Sequence, residues 1–422
     1  MSRQEYSKVK LADVATLVNG RAYLMPELQD SGKYKIVRVG NFSGKDEWFY
    51  SDMELEPDKY CYKGDLLYKW ACTFGPEIWN DKKTIYHYHI WKIVNDPERI
   101  DRDYLYYLLK AMTPYWLAGT HGSTMVHITK EGMEDNDITI PVSTGYQKTV
   151  ARILRTIDDK IALSKKMMAE LEDTARLIYD YWFTQFDFPD ENGKPYRSSG
   201  GKMVYNETLK REIPEGWEAV SVNELVHVEK GISYKANDLK GEGVPMVNLA
   251  SFNTGGTYKA EGLKSYSGAI DSRKTVLPLD LVMCITQQTA IDLSGKTNVI
   301  GKTFFVPDIF DNTVVISIDV CKLMVGNEAY AYVLNGLFKR SDIHKYIVGF
   351  ANGTKIKHLD TSAAFNLRFA VPPNGSDVLE CYSVKARLFE KEKSNLLREN
   401  LCLGVLRDWL LPMLMNGQVH VD

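Results

Sequence analysis

The chain has 422 residues, 44% of them hydrophobic and 25% charged, with a formal net charge of −3. That is globular composition, long enough for two or three domains with cores of their own, and it excludes a disordered chain and a strongly basic nucleic-acid module. "MSRQEYSKVKLADV" at the start has no apolar core of signal-peptide length and eighteen apolar residues never run together, so a cytosolic protein is expected. Six cysteines without C-x-x-C pairing and eight histidines without ligand spacing predict neither a disulfide framework nor a metal site.

In chain order, "VKLADVATLVNG" (Val9 to Gly20) is an apolar-spaced segment closed by glycine, and "YKIVRVGNF" (Tyr34 to Phe42) alternates like a short strand. "KGDLLYKWACT" (Lys63 to Thr73) reads as a turn followed by an apolar β-like run. "DYLYYLLKAM" (Asp103 to Met112) places aromatics and leucines at helical steps. "GSTMVHITKEGMEDNDITIPV" (Gly122 to Val142) is a glycine-threonine turn with a strand ending at Pro141.

A long helix follows. Val150, Leu154, Ile157, Ile161, Ser164, Met168, Leu171, Ala175, Ile178 and Trp182 step by fours and threes, an apolar heptad seam that only Ser164 interrupts. Such a seam needs a partner helix. "FDFPDENGKPYRSSGGKMVYNETLKREIPEGW" (Phe186 to Trp217) is rich in Gly, Pro, Ser and charge, and reads as a surface linker.

Beyond Trp217 the same series recurs in the same order. "AVSVNELVHVEKG" (from Ala219), "VPMVNLASF" (from Val244), "PLDLVMCITQQ" (from Pro278), "AYAYVLNGLFKR" (from Ala329) and "NGTKIKHLDTSAAFNLRFAVPP" (from Asn352) answer the five segments above. A second long helix, about Val378 to Met415, closes this copy with Tyr382, Phe389, Leu396, Leu403, Leu406 and Leu410 on one stripe. Val384, Leu388, Val405 and Trp409 form a second stripe beside it. The expected partner of each long helix is its twin, running antiparallel.

Catalytic motifs do not fit. "SGKTNVIGKTFF" (Ser294 to Phe305) lacks the glycine spacing of a phosphate loop, and "AVPPNG" lacks the polar residue that an amino-methyltransferase uses to hold its target amine. No G-x-G-x-x-G, H-E-x-x-H or G-x-S-x-G occurs. The basic run Lys339, Arg340, Lys345, Lys355 and Lys357 reads first as a solvated face. Duplicated domains without a catalytic signature point to recognition of something with two parts.

"YQKTVARILRTIDDKI" and "YDYWFTQFDFP" in the central helix region, "GGKMVYNETLKREIPEGW" before the second copy and "LRDWLLPMLMNGQV" at the end carry a further signal. Together with the double domain, the chain resembles the specificity subunit of type I DNA restriction–modification enzymes over essentially its whole length. It departs in lacking an "IPEGW" entrance before the first domain and in the less regular heptad of the second helix.

The resemblance implies an α+β fold in which two repeated α/β target-recognition domains are separated by two long antiparallel coiled-coil helices with pseudo-two-fold symmetry. The expected segments are domain 1 over 1–143, the central helix over 144–186, a linker over 187–217, domain 2 over 218–373 and the last helix over 374–422. Leu154, Ile157, Ile161, Met168, Leu171, Ile178 and Trp182 are expected to pair with Leu396, Leu403, Leu406 and Leu410.

It also implies a non-catalytic subunit that reads a bipartite asymmetric target in double-stranded DNA, one half-site per domain. Methyltransferase subunits, two in number, and a restriction/translocase subunit would dock on it. S-adenosylmethionine, ATP and magnesium are then expected in those partners, with no cofactor or metal in this chain. Base readers are expected among polar loop residues. In the first domain these are Arg38, Asn41, Ser43, Lys45, Lys69, Trp70, Thr73, Ser123, Thr124 and His127. In the second they are Asn248, Ser251, Asn253, Gln287, Gln288, Thr289, Thr354, Lys355 and Lys357. The alternatives are a coiled-coil scaffold that binds protein and a self-contained DNA methyltransferase or nuclease with drifted motifs.

Overall fold

The computed structural model describes residues 5–43, 47–118, 128–288 and 298–421. The chain forms two compact units, one of residues 1–161 with 402–422 and the other of residues 162–401.

The first unit contains β1 (Tyr6–Lys10), β2 (Ala15–Asn19), β3 (Tyr34–Val37), β4 (Phe49–Ser51), β5 (Tyr60–Cys61), β6 (Leu66–Ala71), β7 (Thr73–Ile78), β8 (Thr84–Tyr86), β9 (Ile90–Asn95) and β10 (Asp137–Pro141). One sheet has the order β2, β9, β6, β7; a second has β4, β3, β8, β5; β1 pairs with β10. β6 is apolar along most of its length because both its faces are covered, whereas β2 alternates, with Leu17 buried beside exposed Thr16. The amphipathic helix Arg102–Ala118 lays Tyr104, Leu105, Leu108 and Leu109 on the first sheet.

The second unit contains β11 (Met203–Asn206), β12 (Arg211–Pro214), β13 (Glu218–Ser221), β14 (Val226–Lys230), β15 (Val244–Val247), β16 (Lys264–Tyr266), β17 (Thr275–Val276) and β18 (Leu281–Cys284). It continues with β19 (Thr286–Gln288), β20 (Thr303–Phe305), β21 (Val314–Ile316), β22 (Val320–Val325), β23 (Ala351–Asn352), β24 (Ile356–Leu359) and β25 (Arg368–Val371). Its sheets β14, β22, β18, β20 and β16, β15, β21, β17, and its pair β13 with β25, reproduce the topology of the first unit strand for strand. The parallel pairing recurs as well, β3 with β8 and β15 with β21.

The glycines that close the first segment of each copy have one structural cause. A Cβ on Gly20 would lie 2.4 Å from the carbonyl oxygen of His87, and one on Gly231 would lie 2.2 Å from that of Ser317. Two backbones touch at each place, and only glycine lets them do so.

The first long helix runs Thr144–Tyr179 and continues as a wider turn over Asp180–Thr184. None of its ten seam residues is exposed, as expected of a helix whose stripe is covered. The last helix runs Asp377–Met415. In the first unit Val150 and Leu154 share a core with Leu411, Leu414 and Met415. In the second, Ser164 donates to Glu399 at 3.5 Å, Glu172 meets Lys393 at 2.7 Å, and the rings of Phe183 and Tyr382 lie 4.6 Å apart. One residue number rises as the other falls, so the helices run antiparallel there.

Two expectations are corrected. Leu406 is exposed, because Arg407 takes the covered position to reach Asp158, 2.8 Å away; Leu396 is buried and Leu403 and Leu410 are half-buried. The stretch 187–217 is not a surface linker. β11 and β12 form a hairpin in it, Asp187 accepts from Ser198, and Phe188 stacks on Trp217 with ring centroids 5.3 Å apart in the core of the second unit. Its polar composition hid three buried apolar anchors, Phe188, Ile213 and Trp217, next to buried Phe186.

Candidate nucleic-acid interface

In the first unit four chain segments meet at one sheet edge. Arg21 N–H donates to the carbonyl of Tyr86, Tyr88 N–H to that of Arg21, His87 N–H to that of Val37, and Trp70 N–H to that of His89. The edge therefore gathers Arg21, Arg38, Trp70 and the turn His87–Tyr88–His89. The second unit builds the same edge with the same bonds: Ile232 to Ile316, Ile318 to Ile232, Ser317 to Val247, and Ile285 to Asp319.

The first edge is basic and aromatic. Trp70 stacks on buried Trp91 at 5.6 Å, stands edge-on to His89 at 5.2 Å, and donates its indole N–H to the Tyr88 carbonyl at 2.8 Å. The rings of Tyr88 and His89 lie 3.9 Å apart. Arg21 lies over Tyr23 and is anchored by Glu27 at 2.6 Å, and Arg38 lies over Phe49. Burial, helped by His89 and Arg38, pushes the His87 imidazole down to about 4, so it is neutral at physiological pH.

The residues singled out from sequence divide between surface and interior. Arg38, Ser43 and Thr73 are exposed, and Trp70 is half-buried at the edge just described. Asn41 caps its own turn, accepting from Arg38 N–H at 2.8 Å and donating to the Glu47 carbonyl at 2.9 Å. Lys69 is buried and paired with Glu77 at 2.6 Å, which makes it a structural lysine. Lys45, Ser123, Thr124, His127 and Thr289 lie outside the described residues.

In the second unit Asn248 and Ser251, only 1% and 0% exposed, are corrected from readers to braces. Asn248 accepts from Ala250 N–H and donates to the Gly262 carbonyl at 2.7 Å, and Ser251 binds the same carbonyl at 3.3 Å. Asn253 is exposed and holds Thr257 and Tyr258. Gln287 is buried, its side-chain oxygen accepting from Val299 N–H at 2.9 Å. Candidates far apart in sequence do meet here: Gln287 pairs across the ladder with Lys357, and Gln288 with Ile356. Thr354 and Lys355 are exposed on the turn of that ladder. Gly353 bends it at φ +130, where a Cβ would lie 2.0 Å from the Ile356 carbonyl oxygen.

Much of the basic run in the second unit is engaged internally. Lys339 binds Glu172, Arg340 binds Asp342 at 2.6 Å, and His344 bonds the Ile300 carbonyl at 3.0 Å. Arg21, Tyr23, His87, Tyr88 and His89 were not singled out from sequence. The one local hint was the alternation of tyrosine and histidine in "YHYHIW". Among the described residues there is no group of three or more His, Cys, Asp or Glu placed to hold a metal, and no helix long and apolar enough to cross a membrane.

The profile of the type I restriction modification DNA specificity domain matches residues 3–173. Relatives include the specificity subunit of the type I restriction enzyme MjaIX from Methanocaldococcus jannaschii, 26% identical over 76% of this chain and 69% of its own length. The HindI specificity subunit from Haemophilus influenzae is 22% identical over 72% of this chain and 73% of its own length. In fold, the chain is similar to the S subunit of the type I restriction-modification system from M. genitalium, with a TM-score of 0.56 at 15% identity, covering 100% of this chain and 98% of that one. With its duplicated sheets and two long helices, this chain is similar to the specificity subunits of type I restriction–modification systems over about three quarters of its length, and its residues 3–173 match their DNA specificity domain.

Proposed function

We propose that each unit reads one half of a bipartite, asymmetric target in double-stranded DNA, and that the chain positions methyltransferase and restriction subunits on it. The observation that carries this reading is the repeated edge: four segments joined by the same backbone hydrogen bonds in both units, but presenting different side chains. One scaffold with two sets of side chains suits one target with two different halves.

The long helices are proposed to set the unread spacer. A helix of 36 residues is about 54 Å long, against roughly 34 Å for one turn of DNA, so it is long enough to govern that interval. The last helix leaves Val384, Leu388, Val405 and Trp409 between 55% and 72% exposed. A row of large apolar side chains in water marks a protein contact, and the proposed occupants are two methyltransferase subunits. These would contribute S-adenosylmethionine, the restriction subunit ATP and magnesium, and both much of the phosphate neutralisation that a chain of net charge −3 does not supply. The proposed setting is the cytoplasm.

The test is methylation sequencing of DNA from cells expressing this chain with its methyltransferase. The expected result is one two-part motif with a constant gap. A motif of one part, or none with the methyltransferase active, refutes the reading.

A further inference from the structure

The structurally equivalent turns His87–Tyr88–His89 and Ser317–Ile318–Asp319 share one backbone and differ at every side chain. Each begins with an N–H bonded to the strand carrying Val37 or Val247, and each closes with a bond from Ile90 or Val320 back to its first residue. Since the backbone is the same, whatever distinguishes the two turns lies in what their side chains offer.

The first turn offers donors and aromatic surface. His89 N–H donates to His87 Nδ1 at 3.4 Å, which leaves the proton of this neutral imidazole on Nε2 as a donor. Tyr88 is 39% exposed, and its phenol makes no hydrogen bond among the described residues. The turn is held in place: Trp70 bonds the Tyr88 carbonyl on one side and rests on the buried ring of Trp91 on the other. Arg21 and Arg38 flank it, Arg38 close enough to depress the His87 imidazole.

The second turn offers an acceptor and an aliphatic tip. Ser317 is wholly buried, Ile318 is exposed, and Asp319 is half-buried with no ion pair among the described residues. Ile285 stands where Trp70 does and donates its N–H to the Asp319 carbonyl at 2.9 Å, so among the described residues the hydrogen bonds that brace this turn are backbone ones.

We propose that these turns are base-reading elements of opposite hydrogen-bonding sense. The first matches a base edge rich in acceptors, such as the N7 and O6 of guanine. The second matches an exocyclic amino group in the major groove, with Ile318 free to meet a thymine methyl. The inference rests on the proposed reading of one half-site per unit.

The experiment is methylation sequencing with the full chain and its methyltransferase, comparing wild type with Tyr88→Ala, His89→Ala, Ile318→Ala and Asp319→Asn. Thermal melting of each purified chain confirms folding; Tyr88 and Ile318 are surface positions whose replacement leaves the core intact. The first pair should weaken preference about tenfold or more at one or two positions of one half-site, and the second pair should do so only in the other. Folded variants that keep the wild-type motif overturn the inference, as do first-turn and second-turn variants that alter the same half-site. Absence of a two-part motif with the wild-type chain refutes instead the reading beneath it.

Discussion

Glu172 of the first long helix accepts a hydrogen bond from Lys393 of the last at 2.7 Å, and the same carboxylate receives the ammonium of Lys339 from the helix Ala329–Lys339. The first unit repeats the device with Asp158, which takes Arg407 at 2.8 Å and lies 3.7 Å from Lys110 of the helix Arg102–Ala118. In each unit, then, one carboxylate ties the sheet-packing helix and the last helix to the first long helix.

Burial opposes the charge on Glu172, but Lys339 and Lys393 outweigh it and hold its carboxyl at about 2, against an ordinary 4.5. A depressed carboxylate contributes stability that is complete above pH 4.5 and fades as pH falls from there toward 2. Glu172→Gln takes the carboxylate from the largely buried Lys339 ammonium and leaves Lys393 with Glu390 alone, and should cost about 3 kcal/mol in urea unfolding at pH 7. Its unfolding free energy should also depend less on pH between 4.5 and 2 than that of wild type. An unchanged acid limb would show that the pair contributes nothing.

Trp217→Ala tests whether the stretch 187–217 is part of the second unit's core. Trp217 is buried against Phe183, Phe186 and Phe188, so its loss should cost about 3 kcal/mol or more. A change within about 0.5 kcal/mol is what a surface linker would give.

Gly20→Ala drives a methyl into the His87 carbonyl and should displace the first turn alone. A loss of about 2 kcal/mol is expected from this overpacking. In methylation sequencing one half-site should lose sharpness while the other is retained. Gly231→Ala should do the reverse, through the Ser317 carbonyl. Equal effects on both half-sites would count against separate reading edges.

Leu388→Asp and Val405→Glu replace exposed apolar side chains on the last helix. Chain stability should change by less than about 0.5 kcal/mol, because both side chains are mostly exposed. Co-purification with the methyltransferase should fall at least tenfold. Unimpaired co-purification would remove this face from the assembly.

Elements whose signal repeats along one dimension were open to sequence reading. The seam from Val150 to Trp182 shows in the spacing of its apolar residues, and no member of it is exposed. The duplication shows because five segments recur in one order, and the sheets repeat with them. The second helix was less legible, since Leu406 and Arg407 compete for one position and only a partner carboxylate, Asp158, decides for arginine.

The candidate site was harder, for a physical reason. A polar side chain beside a turn looks the same in sequence whether it faces solvent or braces the turn, so Arg38 and Asn248 were read alike although one is exposed and the other buried.

What the sequence alone determined is the repeat, the helical seam and the absence of catalytic motifs, all matters of order and spacing. Tertiary structure decided which polar groups the backbone consumes and which segments converge. Arg21, Arg38, Trp70 and His87 are distant in the chain and become neighbours only through β-pairing between strands whose partners local spacing does not specify.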